Sequence, residues 1–226
     1  MTELDELDLP LPSPPPPGDE LAGELDKLAP VATRRPLRQL AILVGLSLVY
    51  GAGLLAAIRT RGDLGELPAG WLAAAGGGWL LGFVVPAYVA IVPRPGSVLP
   101  RWQIGAVAAA IASVGFVALG LLVHPSGPSS LDYGTAHFLR GHTCLELGLA
   151  TALVPVVAGA LFLRGALPVG ARWTAASLGA GGGALGGLVL HLHCRIADPL
   201  HVGLIHGGVV LVAALLAAAL VPRATR

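Results

Sequence analysis

An all-α fold, a bundle of six membrane-spanning helices behind a short polar tail, is predicted by three features of this chain: abundant apolar residues, scarce charge, and six apolar stretches of about 20 residues. Hydrophobic side chains make up 54% of the 226 residues and charged ones 12%. The mean hydropathy is +0.76, a balance that water-soluble domains do not reach. A hydrocarbon core roughly 30 Å thick takes about 20 helical residues to cross, because each rises about 1.5 Å. The chain divides accordingly into a tail, residues 1–38, and a transmembrane domain, residues 39–222.

The tail comes first. Its opening 36 residues carry eight acids, Glu3, Asp5, Glu6, Asp8, Asp19, Glu20, Glu24 and Asp26, and turn basic only at Lys27, Arg34 and Arg35. Pro14 to Pro17 cannot be helical and set off an outer segment from the stretch 19–28. That stretch reads as a short amphipathic helix. Leu21, Leu25 and Leu28 share one face at i, i+4 and i+7, while Asp19, Glu20, Glu24 and Asp26 lie on or beside the other. So short a helix is marginal alone in water and gains its order by laying the leucines into a partner's groove. The plainer reading is a solvated leader, as polar Pro-rich termini often are. An acidic, leucine-bearing segment mimics nucleic acid electrostatically and suits a basic, apolar-grooved partner such as a transcription factor, with no direct nucleic-acid contact expected.

Six spans follow, expected at 40–58, 68–92, 103–123, 143–163, 173–192 and 200–221. Within them the only carboxylate or imidazole side chains are Glu146, His191, His201 and His206, and there is no lysine or arginine. Trp71, Trp102 and Trp173 fall near span ends, where an amphipathic ring rests between headgroups and hydrocarbon. The fifth span is rich in glycine (Gly179, Gly181, Gly182, Gly183, Gly186 and Gly187), and the second carries Gly76 to Gly78. Both sets are expected to let helices approach closely where lipid offers no hydrophobic drive. A phosphate-binding loop needs an aqueous helix N-terminus and does not fit at that depth. Pro86 and Pro155 are expected to kink their helices.

Basic residues set the orientation, because they are retained on the cytoplasmic side. One face carries Lys27, Arg34, Arg35, Arg38, Arg94, Arg101, Arg164, Arg172, Arg223 and Arg226; the other carries Arg59, Arg61, Arg140 and Arg195. A multi-pass protein of the cell inner membrane is expected, with both termini cytoplasmic. The first 36 residues contain no apolar core of the kind a cleaved signal peptide needs, so the first span itself directs insertion.

That orientation sends all seven histidines and both cysteines to the outer surface. His124 ends the third span, His137 and His142 follow in the loop, and Cys144 begins the fourth span. His191, His193 and Cys194 close the fifth, and His201 and His206 open the sixth. Imidazole and thiolate together suit zinc, copper(I) or a redox thiol pair. His142, Cys144, His191, His193 and Cys194 are therefore candidate ligands for a transition metal at the outer face, although their spacing matches no closed zinc signature. Any one histidine at a membrane boundary reads as an ordinary interfacial residue; seven together are less readily explained so. For the cysteines, a structural disulfide, a redox switch and a metal-sensing pair stand equal. A bridge would close a loop of about 50 residues and stabilise by roughly 4 kcal/mol. Glu146 is the one carboxylate inside a span, a functional candidate or an interfacial acid paired with Arg140 or a histidine.

Two blocks resemble a known family, the six-helix membrane anti-sigma factors typified by the negative regulator of sigma F (NrsF). One runs Asp19-Glu-Leu-Ala-Gly-Glu-Leu-Asp-Lys-Leu-Ala-Pro30 to Arg34-Arg-Pro36; the other begins at Cys144-Leu145, passes Pro155, Leu163-Arg-Gly-Ala-Leu-Pro168 and the glycine-rich span, and ends at His193-Cys194. The resemblance covers about 19 to the C-terminus. It implies an extracytoplasmic-function (ECF) sigma factor as partner, held by Leu21, Leu25, Leu28, Asp19, Glu20 and Glu24. It also implies a sensing role for Cys144 and Cys194, beside His142 and His193, and no enzymatic activity. Members commonly have proline after the second cysteine, where Arg195 stands here. The Pro-rich leader and added histidines are similar to the CarR type, which governs light-induced carotenoid synthesis. Histidine, cysteine and tryptophan are the readiest targets of photosensitised singlet oxygen. A competing class is a metal- or haem-binding membrane enzyme, electron carrier or transporter. Against it, most histidines lie at span ends rather than at regular turns within spans, no charged residue lies near a midplane, and no catalytic constellation is apparent.

Overall fold

The computed structural model describes residues 34–93, 99–122, 141–164, 170–196 and 198–224, together with Gly23, which is helical and exposed. The expected leucine face of the tail, and His124, His137 and Arg140, lie outside the described residues. Among those described there are no strands, and six helices are long and apolar enough to cross a membrane. They are α1 (Pro36–Ile58), α2 (Ala69–Ile91), α3 (Arg101–Leu122), α4 (His142–Leu163), α5 (Ala171–His193) and α6 (His201–Ala224).

Each corresponds to one expected span. The largest shift in a start is at α1, which begins at Pro36 rather than 40. Proline is well placed at a helix start, since its fixed φ is already helical and its missing N–H has no partner to lose there. Trp71, Trp102 and Trp173 fall in the first turns of α2, α3 and α5, and α2 and α4 both run through their prolines.

The fifth helix is the axis of the bundle. From Thr174 to Gly187 every residue is buried, and α5 packs against each of the other five helices. Its glycines make this possible. A Cβ on Gly183 would stand 2.6 Å from the Cα of Val210 in α6, and one on Gly186 would stand 3.1 Å from the Cα of Gly148 in α4. Backbone thus meets backbone, where dispersion between close-packed atoms replaces the missing hydrophobic drive. Gly76 to Gly78 do not share this role: a Cβ at each would meet nothing within 4 Å. They face away from any close helix crossing, so small size there is not used for packing.

Burial is uneven. α1 buries only Leu43, Ser47 and Gly51, one residue per turn, with Gly51 placed so that a Cβ would touch Val189 of α5 at 3.5 Å. Between α2 and α5, the Ser177 hydroxyl donates to the Pro86 carbonyl at 2.9 Å. Trp79 of α2 stacks on Phe116 of α3, with ring centroids 3.9 Å apart. Because the helices alternate in direction, one end of the bundle gathers the close of α1, α3 and α5 and the start of α2, α4 and α6. Cys144, Cys194, His201 and His206 are all at that end.

Candidate functional site

Cys144 stands in the first turn of α4, and Cys194 caps α5 in extended conformation, its amide donating to the Leu190 carbonyl at 2.7 Å. The chain then turns into α6 around Asp198, which is buried. The Asp198 carboxylate accepts from the amides of Leu200 at 3.4 Å and His201 at 3.3 Å, while its main-chain carbonyl accepts from Val202 at 2.9 Å. The first stretch of α6, His201–His206, is wound as a π-helix. In a regular α-helix, positions five apart point about 140° away from one another. The wider i→i+5 turn brings them back towards one face, and the two imidazoles meet edge to face with centroids 5.1 Å apart.

Four side chains converge. The Cys144 and Cys194 sulfurs lie 3.9 Å apart, and Cys194 Sγ lies 3.5 Å from His201 Nε2. With His206 they offer four ligand atoms all within 4.8 Å of one another. Cys194, His201 and His206 are buried and Cys144 is partly so. The sulfurs are not bonded: a disulfide would hold them at about 2.05 Å, and both cysteines are free thiols. His206 Nε2 is buried without a hydrogen-bond partner among the described residues, an arrangement that folded proteins rarely leave unmet.

The loop between α1 and α2 straps over the end of α5. His193 Nδ1 donates to the Arg59 carbonyl at 2.7 Å, and the Arg61 amide donates to the Leu192 carbonyl at 2.9 Å. Arg59 takes φ 69° and ψ 148°, a region that favours glycine. The buried Arg61 guanidinium grips Asp63 with two bonds of 2.7 Å. Its hydrogen bond pulls the Asp63 carboxyl down from 3.8 to about 2, and Asp63 in turn raises Arg61.

Of the residues singled out from sequence, Cys144 and Cys194 come together and His142, His191 and His193 go elsewhere. His142 is exposed at the start of α4, and His193 is committed to the loop. His191 is half-buried, edge-on to Trp71 at 6.3 Å, with its Nε2 buried and without a hydrogen-bond partner among the described residues. Glu146 is exposed on α4. His201 and His206, noted only as opening the sixth span, complete the cluster in their place. Their five-residue spacing belongs to no regular helical face, so the available signal was their nearness to Cys194 in the chain.

No curated protein and no solved structure matches the chain. A family model, negative regulator of sigma F, matches residues 25–226. It takes in Leu25 and Leu28 of the tail, all six helices and the whole cluster. With six spans and this match across nearly its full length, the chain belongs to the family of negative regulators of sigma F, membrane-embedded anti-sigma factors.

Proposed function

We propose that the protein sequesters an ECF sigma factor at the cytoplasmic face of the cell inner membrane and releases it when the outer-face thiols are oxidised, directly or through light. The observation that carries the sigma-factor reading is the family match, which begins within the leucine-bearing tail. Leu21, Leu25 and Leu28 are the apolar anchors, and Asp19, Glu20 and Glu24 supply charge towards a basic partner. The described arginines of the bundle support the orientation: Arg35, Arg38, Arg101, Arg164, Arg172 and Arg223 gather at its end remote from the cysteines.

Oxidation has a defined chemistry at this geometry. A sulfur–sulfur bond forms between Cys144 and Cys194, and two electrons and both thiol protons pass to singlet oxygen, which is reduced to hydrogen peroxide. Closing 3.9 Å to about 2.05 Å draws the start of α4 and the end of α5 together. The end of α5 carries the strap, and the strap leads straight into α1, the helix that follows the tail. α1 is lightly packed, so a displaced strap moves it at small cost.

Co-purification of full-length protein in detergent with purified ECF sigma factors tests the reading. Stoichiometric capture by wild type, lost when Leu21, Leu25 and Leu28 are all changed to Asp, is expected. Failure of every sigma factor to bind wild type would end it.

A further inference from the structure

We propose that Cys144, Cys194, His201 and His206 form a tetrahedral site for a zinc-class divalent ion at the outer end of the bundle. Two of the distances match such an ion, and the others lie within 4.8 Å. With metal–sulfur bonds of about 2.3 Å and metal–nitrogen bonds of about 2.0 Å, a tetrahedron has edges of about 3.8 Å between sulfurs and about 3.5 Å between sulfur and nitrogen. The structure has 3.9 and 3.5 Å. A hydrogen-bonded thiol pair has no need of two further imidazoles within 4.8 Å. An ion would also engage the imidazole of His206, whose Nε2 is buried with no hydrogen-bond partner among the described residues.

Charge selects the ion. Two thiolates and two neutral imidazoles carry −2, so a divalent cation leaves the site neutral, whereas copper(I) leaves a net −1 that is costly to bury between apolar helices. Mixed sulfur and nitrogen donors in tetrahedral array suit zinc. Binding releases the two thiol protons. The scaffold is already built for it: Asp198 fixes the backbone of His201, and the π turn places His206 beside it.

Occupancy does not depend on the sigma-factor reading, although its consequence does: a bound ion holds the sulfurs apart, and when singlet oxygen takes two electrons from the two thiolates and two protons from water to give hydrogen peroxide, the disulfide that forms releases the ion. Full-length protein, reduced, stripped with chelator and held in detergent, is titrated with cobalt(II) and then zinc. One equivalent of cobalt is expected, with the intense visible bands of tetrahedral coordination and near-ultraviolet thiolate charge transfer, both abolished by zinc. Each of C144S, C194S, H201A and H206A is expected to weaken uptake at least about tenfold, whereas H142A leaves the spectrum unchanged. Absence of stoichiometric cobalt or zinc in wild type, an octahedral spectrum, uptake of copper(I) alone, or a spectrum indifferent to the His206 substitution overturns the proposal. Should a variant fail to fold by size exclusion, the wild-type stoichiometry and spectrum decide it. Sigma-factor capture is measured separately, so either reading can fail while the other stands.

Discussion

Arg59 occupies backbone space where a Cβ is penalised, and it is held there by the His193 hydrogen bond to its carbonyl. Such strain costs about 1–3 kcal/mol. Arg59→Gly is therefore expected to raise thermal stability by about 1 kcal/mol; an unchanged or lowered melting temperature would show that the loop carries no strain. Asp198→Ala removes the acceptor for two amides at the start of α6 and is expected to cost about 1 kcal/mol, as loss of a helix cap does. Cobalt affinity should fall with it, because His201 loses its backbone anchor. Asp63 gives a pH signature. Its carboxyl is depressed in the folded protein, so its contribution is complete above its ordinary value of 3.8 and is lost as pH falls through about 2. Hydrogen exchange at the amide of Arg61 should stay protected at pH 4 and open towards pH 2, and D63N should abolish that dependence.

The winding of α6 decides which histidines meet. Inserting one alanine between Leu204 and Ile205 spaces His201 and His206 six apart, about 120° round a regular helix, and is expected to swing His206 away from His201 and remove tetrahedral cobalt binding while leaving helix content unchanged by circular dichroism. Retained binding would show that the π turn is incidental. On α5, Gly183→Val drives a side chain into the Val210 backbone and is expected to prevent recovery of a monodisperse protein, while Gly77→Val, facing open space, is tolerated. Those two glycines also mark the boundary of what sequence can tell. The six spans were legible because crossing a bilayer needs only length and apolarity, and the cysteine pair because span ends locate it. Which glycine stripe faces protein and which faces away depends on helix rotation, which composition does not encode. The pairing of His201 with His206 was hidden because it rests on a local change of helical pitch, and the Arg61–Asp63 strap because it lies in a loop between two spans.

Across the whole bundle, a thiol-bearing cluster at one end is linked by a hydrogen-bonded strap to the one helix that follows the tail. α1 fully buries only Leu43, Ser47 and Gly51, with Leu40 and Val44 packed against the core and the Tyr50 hydroxyl donating to the Ala150 carbonyl of α4 at 3.3 Å. Its end at Ile58 runs into the strap, so a change at the cluster has a physical route to α1 through packed and hydrogen-bonded groups. Arg61→Ala is expected to preserve sigma-factor binding and blunt its response to oxidant. The most direct measurement is the affinity of an ECF sigma factor for full-length protein in nanodiscs, before and after singlet-oxygen exposure, in wild type and in C144S/C194S. Oxidation is predicted to weaken binding roughly 5- to 150-fold in wild type and to leave the double variant unchanged. An affinity that does not respond in wild type, or that falls equally in both proteins, would contradict a sensor at Cys144 and Cys194.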